Sequence, residues 1–129
     1  MQWFKNIFSK NFAILDANVI LRYLLNDEDF FSESEELIER KNCGTYLEII
    51  SEVVYVLQSV YKVPRDDIKI SLIELSKDIT IDKYDVLKIA LNAYVEKPKL
   101  DFIDCLLYGY SQLGRKVYTF DKKLIKKMN

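Results

Sequence analysis

Histidine is absent from all 129 residues. That removes the commonest general base, the serine and cysteine triads built on imidazole, and imidazole metal sites. Any hydrolytic chemistry must therefore rest on carboxylates. Cysteine is scarce as well: Cys43 and Cys105 lie far apart with no CxxC pair, which excludes a structural zinc site. No apolar run approaches the roughly 18 residues of a membrane span. The opening Met1-Gln-Trp-Phe-Lys-Asn-Ile-Phe8 has no signal-peptide hydrophobic region, so the expected location is the cytoplasm. With three glycines and two prolines, the chain should form long regular elements with short joins, without linkers or repeats.

What is present is apolar residues, at 50% of the chain, enough for one core and one domain spanning residues 1–129. Within it, residues 1–11 read as a short helical N-terminal extension, with Trp3, Phe4, Ile7 and Phe8 on one face packing on the domain itself. Charge is balanced overall, 19 basic against 20 acidic residues, which argues against a uniformly basic nucleic-acid binder. Its distribution is uneven. Residues 27–39 hold seven acids and no base, whereas residues 115–129 hold six bases and only Asp121 as an acid. The basic end suits phosphate steering or a solvated face. Most of the abundant aromatics, Phe4, Phe8, Phe12, Tyr55 and Tyr108 among them, fall in apolar stripes and are expected in the core.

Periodicity gives an alternating order. Residues 12–15 form an apolar run ending at Asp16, as a buried parallel strand feeding a loop would. A helix capped by Asn18 follows, with Val19, Ile20, Tyr23 and Leu24 on one face. Further helices are predicted over 34–41, 47–61, 65–78, 84–96, 100–113 and from 122, with strands at 44–46, 79–81 and 116–120. Strands alternating with helices imply an α/β domain, a parallel sheet covered on both faces.

In such sheets a ligand crevice lies beyond the carboxyl ends of the strands. Asp16 and Asp121 both occupy such positions, and they converge if their strands are neighbours. A lone acid there is more often a helix cap than a ligand; two shift the balance. Asp101 and Asp104 fall on one side of a first helical turn, where like charges repel unless a cation lies between them. Asp101 alone could be a cap. Asp104, among Ile103, Leu106, Leu107 and Tyr108, reads as partly buried, and Glu52, among Ile49, Ile50, Val53 and Val54, reads the same way. Buried acids need a partner or a metal, and no base lies within a turn of Glu52.

These residues resemble, in order, the four motifs of the PIN-domain ribonucleases, especially the VapC-like toxins of type II toxin–antitoxin pairs. Ile14-Leu-Asp-Ala-Asn-Val-Ile-Leu-Arg-Tyr-Leu-Leu25 is similar to the first, Ser51-Glu-Val-Val-Tyr-Val-Leu57 to the second, Asp101-Phe-Ile-Asp-Cys-Leu-Leu107 to the third and Thr119-Phe-Asp-Lys-Lys-Leu124 to the last. Each motif is weak alone, and the set is specific.

The resemblance implies a three-layer α/β/α domain with a mainly parallel central sheet. It also implies a Mg2+- or Mn2+-dependent endoribonuclease whose acidic site is Asp16, Glu52, Asp104 and Asp121, with Asp101 as a fifth acid and Asn18 and Thr119 in support. Hard oxygen ligands suit these cations, which take one or two direct carboxylates, here assigned to Asp16 and Asp104. Glu52 and Asp121 then act through metal-bound water. Arg22, Lys122 and Lys123 are candidates to contact RNA phosphates. A partner antitoxin and a homodimer are the implied assembly, although the leading residues 1–11 exceed what usually precedes the first strand in such toxins. The contrasting reading is a catalytically silent module of the same fold that binds RNA or protein. A haloacid-dehalogenase-like phosphatase needs DxD where this chain has Asp16-Ala-Asn18, and a response-regulator receiver needs an early acidic pair that is not evident.

Overall fold

The structure is a computed structural model that describes residues 12–26, 31–39 and 42–129. The expected helical extension at 1–11 lies outside the described residues. Three short strands, β1 (Ala13–Ile14), β2 (Cys43–Thr45) and β3 (Thr80–Ile81), form a parallel sheet in the order β1-β2-β3. Seven helices accompany it among the described residues: α1 (Ala17–Leu24), α2 (Phe31–Glu39), α3 (Leu47–Ser59), α4 (Arg65–Leu75), α5 (Tyr84–Glu96), α6 (Phe102–Gln112) and α7 (Lys122–Met128). The fold is α/β, as the alternation predicts. No described helix is long and apolar enough to cross a membrane.

The central strand is fully buried because its residues are small. A side chain at Gly44 would collide with the Thr80 carbonyl on one side and the Phe12 ring on the other, so glycine permits the close approach of β2 and β3. Thr45 is buried with its hydroxyl donating to the Leu15 carbonyl at 2.8 Å, which satisfies the polar group and fastens the end of β1 to β2. Asp16 follows directly. The sheet thereby fixes where α1 begins.

Two expectations change here. Residues 116–120 do not join the sheet: Val117 and Thr119 are half-buried and Tyr118 and Phe120 exposed, a strand-like alternation without a ladder partner among the described residues. β1 is consequently an edge strand among the described residues, and Ile14 is 57% exposed where a buried parallel strand was expected. The second change is in α3, whose buried face is Leu47, Ile50, Val53, Val54 and Leu57. Sequence periodicity places Ile49, Val53, Val56, Leu57 and Val60 on the apolar stripe; the buried face is rotated from it, with Ile49 and Val56 only half-buried and Val60, just past the helix, exposed. Tyr55 and Glu52 fall on the solvent side, so Tyr55 is no core residue.

The tightest packing joins α5 to α6. A side chain at Gly109 would come within 2.8 Å of the Val86 carbonyl, and Tyr94 packs edge-on to Phe102 with ring centroids 5.6 Å apart. Tyr94, Leu87, Leu91 and Cys105 are completely buried there. This packed helix pair carries Asp104 in the first turn of α6 and Asp101 at its N-cap.

Candidate active site

Asp16, Asp101 and Asp121 each stand at a helix N-cap with extended backbone, where a short side-chain acceptor satisfies amides that have no helical partner. Asp16 Oδ1 accepts from Val19 N at 3.0 Å and Asp101 Oδ1 from Asp104 N at 2.8 Å. Asp121 Oδ1 accepts from Lys123 N at 2.9 Å and Leu124 N at 3.3 Å. Asp16 thus caps α1 in place of Asn18, which lies exposed within the first turn. Capping does not exhaust these acids, because it engages one carboxylate oxygen and orients the other.

Asp104 is the electrostatically distinct member. Half-buried in the first turn of α6, its carboxyl is held above the ordinary carboxylate range, first by loss of solvent and then by the charges of Asp101 and Asp121. The Asp101 carboxylate also accepts a hydrogen bond from the protonated form, which raises it further. Asp101 and Asp121 are thus near enough to act on Asp104 through their charge. Asp16 and Glu52 are not among the largest influences on Asp104, and Glu52 is exposed on α3 rather than buried. None of the five acids forms an ion pair with a lysine or arginine among the described residues.

Supporting contacts shape the cluster. Thr119 Oγ1 accepts from Asp121 N at 3.0 Å, a local turn that sets the entry into α7, and the completely buried Leu124 anchors that helix. Arg65, at the start of α4, does similar work before α6. Its Nη1 donates to the carbonyls of Tyr94 at 2.8 Å and Leu100 at 2.7 Å, with a longer bond to Lys97 at 3.4 Å. The guanidinium also lies 4.1 Å from the Tyr94 ring centroid. It closes the end of α5 and fixes the turn that delivers Asp101.

The sequence reading missed Arg65, although a base at a helix N-terminus opposes the helix dipole and so signals a tertiary role. It also missed the wholly exposed aromatics beside Asp121, Tyr118 at 89% and Phe120 at 102%. Of the proposed RNA contacts, Arg22 sits half-buried in the last turn of α1, while Lys122 and Lys123 are exposed in the first turn of α7. Cys105, next to Asp104, is pushed up to about 12 chiefly by burial, so its thiol is no nucleophile.

Comparison with known proteins gives one finding. A family described as PIN domain matches residues 13–128. Searches of curated proteins and of solved structures return no match.

Proposed function

The chain belongs to the PIN-domain family, and on that premise we propose that it is a metal-dependent endoribonuclease hydrolysing RNA phosphodiester bonds. The observation that carries this reading is Asp104, a half-buried carboxyl under the charges of Asp101 and Asp121 that forms no ion pair with a basic side chain among the described residues. A cluster of that kind is at rest only with a proton or a cation.

The donors present suit Mg2+ or Mn2+ in kind, all being carboxylate oxygens. Among the described residues no three ligating side chains are gathered into a ready-made cage. These cations need only one or two direct carboxylates and complete their shell with water and substrate oxygens. Asp104 and Asp16 are the proposed ligands. Such a cation, when bound, supplies positive charge to the phosphate and lowers the pKa of a coordinated water. The chain's own part is to hold acids still: the cap bonds fix Asp16, Asp101 and Asp121, Thr119 sets the turn into Asp121, and Arg65 sets the turn into Asp101. Glu52 and Asp121 are proposed to orient the attacking water, with Asn18 in support.

The test is cleavage of labelled single-stranded and structured RNA by the purified protein in EDTA, Mg2+ or Mn2+. Cleavage with either cation and none in EDTA is expected. Binding of RNA without cleavage under any condition would instead establish the silent module.

The same reading extends to a toxin role in the cytoplasm, with an antitoxin and a homodimer as partners. An antitoxin would place an arginine or lysine fork among these acids, satisfying carboxylates that otherwise need metal. Co-expression with the product of the adjacent reading frame tests it, since a partner that leaves cleavage intact would overturn this mode of inhibition.

A further inference from the structure

A second charged region adjoins the acidic cluster. A cleft of about 770 Å3 opens between the α5–α6 turn and α7, lined by Lys97, Lys99, Lys123, Lys126 and Lys127, with Glu96 its one acid among the described residues. Glu96 is already occupied, its Oε2 lying 3.2 Å from Lys127 Nζ, and Lys127 also sits 4.9 Å from the Tyr108 ring centroid. The other four ammonium groups have no anionic partner among the described residues. Lysines crowded around a concavity repel one another and concentrate positive potential within it, which favours an anionic occupant.

Position identifies the occupant. Lys99 precedes Asp101 by two residues and Lys123 follows Asp121 by two, so both walls of the cleft run directly into the acids. Arg65 holds the Lys97 and Leu100 carbonyls and thereby fixes one wall. We propose that this cleft carries the phosphate backbone of single-stranded RNA to the acidic cluster, Lys97, Lys99, Lys123 and Lys126 each contacting phosphate oxygens. Its size matches pockets that enclose a small ligand, so it takes a short stretch of one strand rather than the face of a duplex. The exposed Tyr118 and Phe120, just before Asp121, offer bases a surface to stack on, which favours a nucleic acid over an acidic polypeptide. The inference rests on the nuclease reading for what happens at the acids, not for the binding itself.

The test is fluorescence anisotropy of labelled oligouridylate with the full chain in EDTA, where metal-dependent cleavage is silent, across a series of salt concentrations. Lys97→Gln with Lys126→Gln, both exposed, should flatten the dependence of log affinity on log salt by about 1.4, about 0.7 for each lost contact. In Mg2+ the same variant should show raised KM and unchanged kcat. Lys62→Gln with Lys88→Gln, exposed elsewhere, is the control and should leave the slope alone. An unchanged slope in the cleft variant, an equal drop in the control, or displacement of RNA by polyglutamate at matched charge would overturn the proposal. Cleavage with unaltered KM in the cleft variant would sink the cleft and leave the nuclease. RNA binding with the expected slope but no cleavage in any metal would uphold the cleft and sink the nuclease.

Discussion

Helices α1 and α6 begin in the same way and end up with different chemistry. Each starts at an aspartate whose Oδ1 accepts from the amide three residues on, Val19 N in one case and Asp104 N in the other. In α1 the residue at that third position is apolar and packs against the core. In α6 it is a second carboxyl, half-buried and close to a third acid, Asp121. The cap is common to both and confers no activity. What distinguishes α6 is a partly desolvated acid in the first turn with like charges around it, where one oxygen of each neighbour is already committed to backbone.

The largest effect expected from breaking this contrast is at Asp104. Asp104→Asn keeps the shape and removes one of the crowded charges, so metal-dependent cleavage should fall by roughly 100- to 10,000-fold. In EDTA the variant should melt at or above the parent's temperature, and added Mg2+ should raise the Tm of the parent much more than that of the variant. A variant that melts well below the parent in EDTA, with its Mg2+ response intact, would make Asp104 structural.

Next in size is Arg65→Lys, which tests whether the α6 start depends on its clamp. An ammonium cannot reproduce the guanidinium's flat contact with Tyr94 together with its bonds to several carbonyls, and the substitution should cost about 1–3 kcal/mol in chemical denaturation. If stability is unchanged, the turn before Asp101 holds itself.

The caps themselves come third. Asp16→Ala and Asp101→Ala should each cost about 0.5–2 kcal/mol, and serine at either position should recover most of that. Activity separates the two properties: serine restores the cap without the charge, so neither serine variant should regain full cleavage in Mg2+. Full activity of Asp101→Ser would remove Asp101 from the site.

The smallest effect is a pH dependence. A carboxyl whose pKa is raised in the fold binds its proton more tightly when native than when unfolded, so its ionisation withholds stability. That loss is complete above the raised pKa of Asp104 and is relieved as the pH falls from there into the ordinary carboxylate range. Melts in EDTA should therefore show any advantage of Asp104→Asn over the parent shrinking as the pH is lowered through that window. An advantage that grows on acidification would reverse the assigned sign.

Much of this contrast was legible in the chain itself. The spacing Asp101-Phe-Ile-Asp104 within an apolar surround announced a strained pair, and the helix 84–96 was read with the bounds it has. Glu52 was misread because its apolar neighbours fit two helix faces, and only the packing of Ile50 and Val54 into the core decided that Glu52 faces solvent. The segment 116–120 was misread because alternation is a local property, whereas a strand exists only where another backbone supplies its hydrogen bonds. Arg65 left little trace, since its partners are about thirty residues away in sequence, and of the lysine cleft only the wall in the basic run 115–129 was legible.

By itself the sequence determined that any hydrolytic chemistry must rest on carboxylates, that strands alternate with helices, and that Asp101 suits the start of a helix. Those conclusions rest on composition, periodicity and capping, which act over a few residues. Tertiary structure decided which acid is perturbed, which acids share its neighbourhood, and that lysines from the α5–α6 turn and α7 enclose one cleft. Desolvation and Coulomb interaction depend on distance through space and on the solvent that packing excludes, and neither quantity is written in the order of residues along the chain.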